Sequence, residues 1–157
     1  MIGFELSEDQ KMYQKTARDF ARDVMRPVAE HHDHTGEFPW EVLKKAHELG
    51  LMNSMVPAEY GGIGLGCFEA CLLAEEMAWG CSGIGTAMEA NQLAISPVIL
   101  HGTEEQKQRF LVPIAKGEKL ACFALTEPGA GSDVASLETT ATRQSGGYKL
   151  NGNKVFI

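Results

Sequence analysis

The stretch from Ala121 to Asp133 reads Ala-Cys-Phe-Ala-Leu-Thr-Glu-Pro-Gly-Ala-Gly-Ser-Asp and gathers most of the chain's candidate chemistry. It opens apolar, with the β-forming Phe123, and closes polar and glycine-rich. A strand carrying Phe123 and Leu125 would stop at Pro128, which has no N–H to give to a ladder. Gly129 and Gly131 then allow backbone angles closed to residues that carry a Cβ. Successive N–H groups in such a turn can converge on an anion, with the hydroxyls of Ser132 and Thr126 nearby. An apolar wall, a hydroxyl and an anion cradle together suit a ligand with a flat ring at one end and phosphates at the other. A strand followed by a tight surface turn accounts for the same residue types, since glycine-rich turns are common. The dinucleotide fingerprint fails, because Val134 stands at the third glycine place and no helix follows. There is no phosphate-loop lysine either, which disfavours a Walker-type nucleotide site.

Three other groups invite a chemical reading. Glu89 lies among Ala87, Met88, Ala90 and Leu93 in a segment that should be buried. A buried carboxylate needs a partner or a raised pKa and can mark a site, although a hydrogen-bonded structural Glu explains it equally. His31-His32-Asp33-His34 has metal-ligating types, but adjacent helical residues diverge by about 100° and do not converge on one ion. It reads as a solvated helix end. Cys67, Cys71, Cys81 and Cys122 show no metal-type spacing. Cys67 and Cys71 can share a helix face, and the four read as small, buried, reduced hydrophobes of a reducing compartment. Glu75 and Glu76 point in different directions on a helix and make no acid–base pair.

The elements that must position these residues change character along the chain. Ser7 with Gln10 forms a capping box. The stripe Met12, Tyr13, Thr16, Ala17, Phe20, Ala21 and Val24 predicts a long amphipathic helix, kinked or restarted at Pro27. Thr35 to Phe38 is a loop, and Pro39 opens a helix carrying Val42, Leu43, Ala46 and Leu49 that stops at Gly50. The glycines from Gly61 to Gly66 form a packed loop. Phe68 to Trp79 is the next helix, and Gly80 to Gly85 breaks the run. Two apolar helices are predicted over Thr86–Ala94 and Ile95–His101, with Pro97 in a first turn. Thr103 with Gln106 is a second capping box, and Gly117 ends that helix. From Leu120 the period becomes strand-like. Ser136 to Arg143 alternates, Gln144 to Gly147 is a hairpin turn, Tyr148 to Leu150 is a strand, Gly152-Asn153 turns again, and Lys154 to Ile157 begins another strand. The fold class is therefore mainly α: a helical bundle over residues 1–119, then the first strands of a β domain over 120–157.

Composition narrows the function classes. A chain of 157 residues can bury a real core. The formal charge of −7 argues against nucleic acid as the main partner, yet leaves anionic ligands open because backbone amides bind phosphates locally. No apolar run is long enough to span a bilayer. Met1-Ile2-Gly3-Phe4-Glu5 has neither a signal-peptide core nor an Arg-rich transit composition. The retained Met1 favours a bacterial cytoplasm over a mitochondrial matrix reached with a removed leader.

The Ala121–Asp133 segment also resembles the signature of the acyl-CoA dehydrogenase family. Ala124, Leu125, Thr126, Glu127, Gly129, Gly131, Ser132, Asp133 and Ser136 fill that pattern. Phe4-Glu5-Leu6-Ser7, His47 to Leu51, Pro57 to Gly62 and Asn151 to Lys154 are similar to the family in order and separation, across essentially the whole chain. The short- and medium-chain, straight-chain members are the most alike. The resemblance implies FAD as cofactor. It gives Thr126 a hydrogen bond to the flavin ring, with Phe123, Ala124 and Leu125 backing the ring. It puts Ser132 and neighbouring amides such as that of Gly131 at the cofactor's phosphates and the bound thioester. Phe156 and Ile157 stand where the family usually has Trp-Ile against the flavin, and Phe for Trp loses the indole N–H. Glu89 falls at the closed end of the acyl pocket with Gly85, Thr86 and Leu93, setting depth and not acting as base. The further implications are an acyl-CoA substrate, an electron-transferring flavoprotein as acceptor and a homotetrameric parent.

Ile157 falls inside a predicted strand, and strands without partners leave open edges. The chain thus reads as the front portion of a longer enzyme or as a cut piece. In the family the catalytic carboxylate belongs to a later helical domain, so no residue here takes that role and the chain alone is expected to be inactive. The competing readings are a helical binding or interaction module without flavin, and an acyl-CoA oxidase of the same fold.

Overall fold

The computed structural model describes residues 4–157, so the Met1-Ile2-Gly3 start, with its composition unlike a leader, lies outside the described residues. Two compact units are present, Met1–Cys122 and Phe123–Ile157.

The first unit is helical. Helix α1 spans Glu8–Phe20 and opens with the expected capping box, the Ser7 hydroxyl accepting from the Gln10 N–H and the Gln10 side chain accepting from the Ser7 N–H. Gln10 also donates to Glu69 at 2.8 Å, fastening the start of α1 to α4. A π-helical turn, Ala21–Met25, leads into α2 (Arg26–Thr35), with Pro27 in its first turn. The wider turn is a local answer to a proline that cannot donate and whose ring crowds the carbonyl four residues back. Gly36, at φ 71°, ends α2. Helix α3 spans Trp40–Glu48 and buries Val42, Leu43 and Ala46, while Leu49, expected on the same face, is exposed. Gly62 packs so tightly on Val56 that a Cβ there would come within 2.0 Å of the Val56 carbonyl oxygen. The loop is thus packed, as its glycines suggest, but against the non-helical Val56 and not between helices.

Helix α4 spans Cys67–Gly80 and α5 spans Ser82–His101. The predicted break over Gly80–Gly85 shrinks to Cys81, which is extended at φ −164°. The two predicted helices after it are one, with Pro97 inside it. Burial explains the continuity. Ile84 and Met88 enter a core shared with α1, the π-helical turn, α3 and α4, whereas Ile95 enters a second core with Val56, Tyr60, Leu111 and Ile114. One helix serving two cores tolerates the hydrogen bond lost at Pro97. The glycines serve packing instead of breaking the run: a Cβ on Gly80 would lie 2.8 Å from Ala21 Cβ. Helix α6, Glu104–Ala115, has the second capping box, and Gly117 at φ 70° follows it.

The second unit contains strands β1 (Thr140–Gln144) and β2 (Gly147–Asn151), paired antiparallel with Ala141 opposite Leu150. Gly146 at φ 85° makes the turn. Both strands are exposed on both faces, so the expected alternation marks no buried face. Val134–Ser136 is a short 3₁₀ turn, which delays β1 to Thr140. The strands expected at Phe123–Leu125 and Lys154–Ile157 are not formed. Among the described residues a single backbone bond links their neighbourhood, from the Val155 N–H to the Thr126 carbonyl at 3.0 Å, and a single bond is no ladder.

Candidate functional site

In the second unit the signature segment is organised by Glu127. Its carboxylate is buried and accepts from the Glu138 N–H at 2.7 Å, the Thr139 N–H at 3.1 Å and Lys154 Nζ at 2.8 Å. Lys154 Nζ also donates to the Leu125 carbonyl at 2.7 Å. The ammonium and the two amides hold the carboxyl down at about 2, well under the ordinary carboxylate value. Glu127 and Ala130 exchange two backbone bonds, at 3.0 and 3.1 Å, closing the turn through Pro128 and Gly129. This knot of bonds fixes both ends of the Leu125–Ala130 segment. Nothing in the sequence paired Glu127 with Lys154, because a separation of 27 residues carries no periodic signal.

The Phe123–Thr126 stretch next to the knot is open. Phe123 and Leu125 are 37% and 36% exposed. Among the described residues, no hydrogen bond takes up the N–H of Phe123, Ala124, Leu125 or Thr126. Two apolar side chains and unused donors on a fixed backbone can back a flat heterocycle and meet acceptors on its edge. The glycine part differs from expectation. Neither Gly129 nor Gly131 takes a positive φ, and a Cβ on either would meet nothing within 4 Å. The anion nest that needs left-handed glycine is therefore not formed; the pairing of Glu127 with Ala130 closes the turn without it. Ser132 is exposed, and Ser136, also exposed, donates to Asp133 at 2.6 Å. Phe156 is 96% exposed with φ 57°, and Ile157 is exposed as well.

In the first unit, Thr86, Glu89 and Leu93 line one open depression of about 400 Å³ on α5, with Gln92 and Ser96. Glu89 is half-buried instead of buried, and its desolvation raises its pKa. Gly85 faces elsewhere, 3.4 Å from the Met77 backbone at its ideal Cβ position. The four cysteines depart from expectation: all are free, Cys67, Cys71 and Cys122 are exposed, and Cys81 is partly buried. The histidine run lies at the exposed end of α2, and among the described residues no group of three or more His, Cys, Asp or Glu could hold a metal.

Buried polar groups missed by sequence reasoning hold the helical unit together. The Asn91 side-chain amide donates to Asn53 Oδ1 at 3.0 Å and its oxygen accepts from the Ala121 N–H, and Asn53 Nδ2 donates to the Ile114 backbone carbonyl at 3.1 Å. Asn53 takes φ 56°, a conformation asparagine tolerates better than most residues. Buried Glu76 accepts from Arg18, whose guanidinium stacks 4.0 Å from the Trp79 ring centroid. Asn91 stood in an apolar run, and that was the only available signal.

The acyl-CoA dehydrogenase N-terminal domain model matches residues 7–118, and the middle domain model matches 122–157. The chain belongs to the acyl-CoA dehydrogenase family. The short-chain specific acyl-CoA dehydrogenase of Clostridium acetobutylicum is 39% identical over 157 residues, 99% of this chain and 41% of that protein. A chain in the structure reported for the electron transferring flavoprotein of Acidaminococcus fermentans matches with TM-score 0.90 and 38% identity, over 98% of this chain and 40% of that one. The acyl-CoA dehydrogenase of Bacillus anthracis complexed with FAD matches with TM-score 0.88 and 40% identity, over 98% of this chain and 27% of its own. The family member described here spans about two-fifths of the length of the curated relatives it matches.

Proposed function

We propose that this chain supplies the N-terminal helical domain, residues 1–119, and the opening of the middle β-barrel domain, residues 120–157, of an FAD-dependent acyl-CoA dehydrogenase. The reaction is α,β-dehydrogenation of an acyl-CoA thioester to the trans-2-enoyl-CoA. Bound FAD supplies the acceptor for the hydride leaving the acyl β carbon. The chain's own residues bind and orient. Phe123, Ala124 and Leu125 back the ring, Thr126 hydrogen-bonds its edge, and Phe156 and Ile157 add apolar contact. Ser132 and the Gly131 amide serve the phosphates and the thioester. Thr86, Glu89 and Leu93, with Gly85 behind them, limit the acyl chain. The base that removes the α proton is assigned to no residue of this chain, and the chain alone is expected to be inactive. An electron-transferring flavoprotein is the proposed acceptor, a homotetramer the proposed assembly, and a bacterial cytoplasm or mitochondrial matrix the compartment.

The observation that carries the reading is the open Phe123–Thr126 stretch, apolar and rich in free donors, held by the Lys154 and Val155 bonds. The test is anaerobic titration of the full-length parent, purified with its flavin. A yellow protein that bleaches with a straight-chain acyl-CoA is expected. A flavin that never bleaches with any acyl-CoA overturns the dehydrogenase reading, and oxygen consumption at an electrode would redirect it to an oxidase. Thr126→Val is expected to weaken flavin retention roughly 2- to 10-fold, the loss of one hydrogen bond worth ~0.5–1.5 kcal/mol.

A further inference from the structure

Cys67 begins α4 and Cys71 follows one turn on along the same face, and both are exposed and free. Residues four apart on a helix hold their Cβ atoms about 5–6 Å apart, whereas a disulfide needs about 3.5–4.5 Å. The two sulfurs therefore cannot bond to each other without opening the turn, but a single atom placed between them spans the gap. The structure assigns this pair as a dithiol site for trivalent arsenicals, a use of the fold independent of the flavin reading. No third His, Cys, Asp or Glu joins the pair among the described residues, which disfavours a four-coordinate zinc centre. The neighbouring Cys67 sulfur, then burial and the Glu89 charge, raise the pKa of Cys71. Each S–H proton leaves with an arsenic-bound hydroxyl as water, so two As–O bonds break, two As–S bonds form, and no oxidation state changes. Gly66 provides no side-chain cap for α4, so a bridge from Cys67 to Cys71 would also staple an uncapped first turn.

The experiment titrates the reduced 157-residue chain with phenylarsine oxide and reads native mass spectra and amide exchange over α4. One tightly bound arsenical per chain is expected, released by ethanedithiol but not by a monothiol, with slower exchange in the first turn of α4. Cys67→Ser and Cys71→Ser are each expected to weaken binding by roughly 100-fold or more, the usual loss when two linked contacts become one. Cys81→Ser and Cys122→Ser should leave it unchanged. Retention of tight binding by either of the first two variants, or monothiol-labile binding to the unaltered chain, would overturn the assignment. Circular dichroism of each variant separates a lost ligand from a lost fold.

Discussion

Met1–Cys122 and Phe123–Ile157 satisfy their backbones in opposite ways. In the helical unit every hydrogen bond of a turn lies within a few residues, and the apolar faces of α1, α3, α4, α5 and α6 close two cores. In the second unit β1 and β2 find each other, but both faces stay exposed, and Ala130 is its only fully buried apolar residue among those described. Its order rests on a carboxylate, the Glu127 knot. A helix needs only a partner for its apolar stripe, whereas a strand needs neighbours for its backbone as well. One unit is thus held by buried area and the other by a few polar bonds.

Breaking each kind of support sharpens that contrast. The largest effect is expected from Leu73→Ala, which empties a site 2% exposed between α4 and its neighbours. A loss of about 2–5 kcal/mol is expected in urea unfolding followed by circular dichroism. A loss under ~1 kcal/mol would mean that this core is not tightly packed. Next comes Asn91→Ala, which strands the buried Asn53 Oδ1 and the Ala121 N–H. About 1–3 kcal/mol should be lost in the same assay, and Asn91→Asp should not restore it, because a carboxylate cannot donate to Asn53.

Acid should act on the second unit first. The folded-state pKa of Glu127 is depressed to about 2, below the ~4.3 of an unfolded glutamate. Its stabilising contribution is therefore complete above that unfolded value and disappears as pH falls toward 2. Amide exchange at Glu138 and Thr139, corrected for intrinsic rates, should accelerate in that window. Glu127→Gln should give the fast exchange already at neutral pH. Equal acceleration in α4 would erase the proposed difference between the units. The smallest effect is expected at the exposed Arg22–Asp23 pair: Asp23→Asn should leave the unfolding midpoint unchanged, as surface pairs usually do.

The helical half was legible because its signals are local. Ser7 and Thr103 announce helix starts through residues three positions on, and Gly36, Gly50 and Gly117 end or follow helices at positive φ. Local signals also misled. Gly80 to Gly85 read as a break and Pro97 as the first turn of a new helix, yet α5 runs from Ser82 through Pro97 because its two ends enter different cores. The cysteines read as core by residue type, but three of them fall on exposed positions. At the candidate site, the signature segment and the α5 residues were visible one by one. The left-handed glycine turn expected at Gly129 and Gly131 was not formed, since the Glu127–Ala130 pairing closes that turn with ordinary backbone angles.

The order of residues alone determined where α1 and α6 begin, which stripes are apolar, and which family pattern the Ala121–Asp133 segment fills, because each depends on neighbours a few positions apart. Only the tertiary structure decided that Asn91 meets Asn53, that Arg18 covers Glu76, and that Lys154 returns to Glu127. Those partners are 38, 58 and 27 residues apart. No periodicity couples such distances; the need to satisfy a buried polar group does.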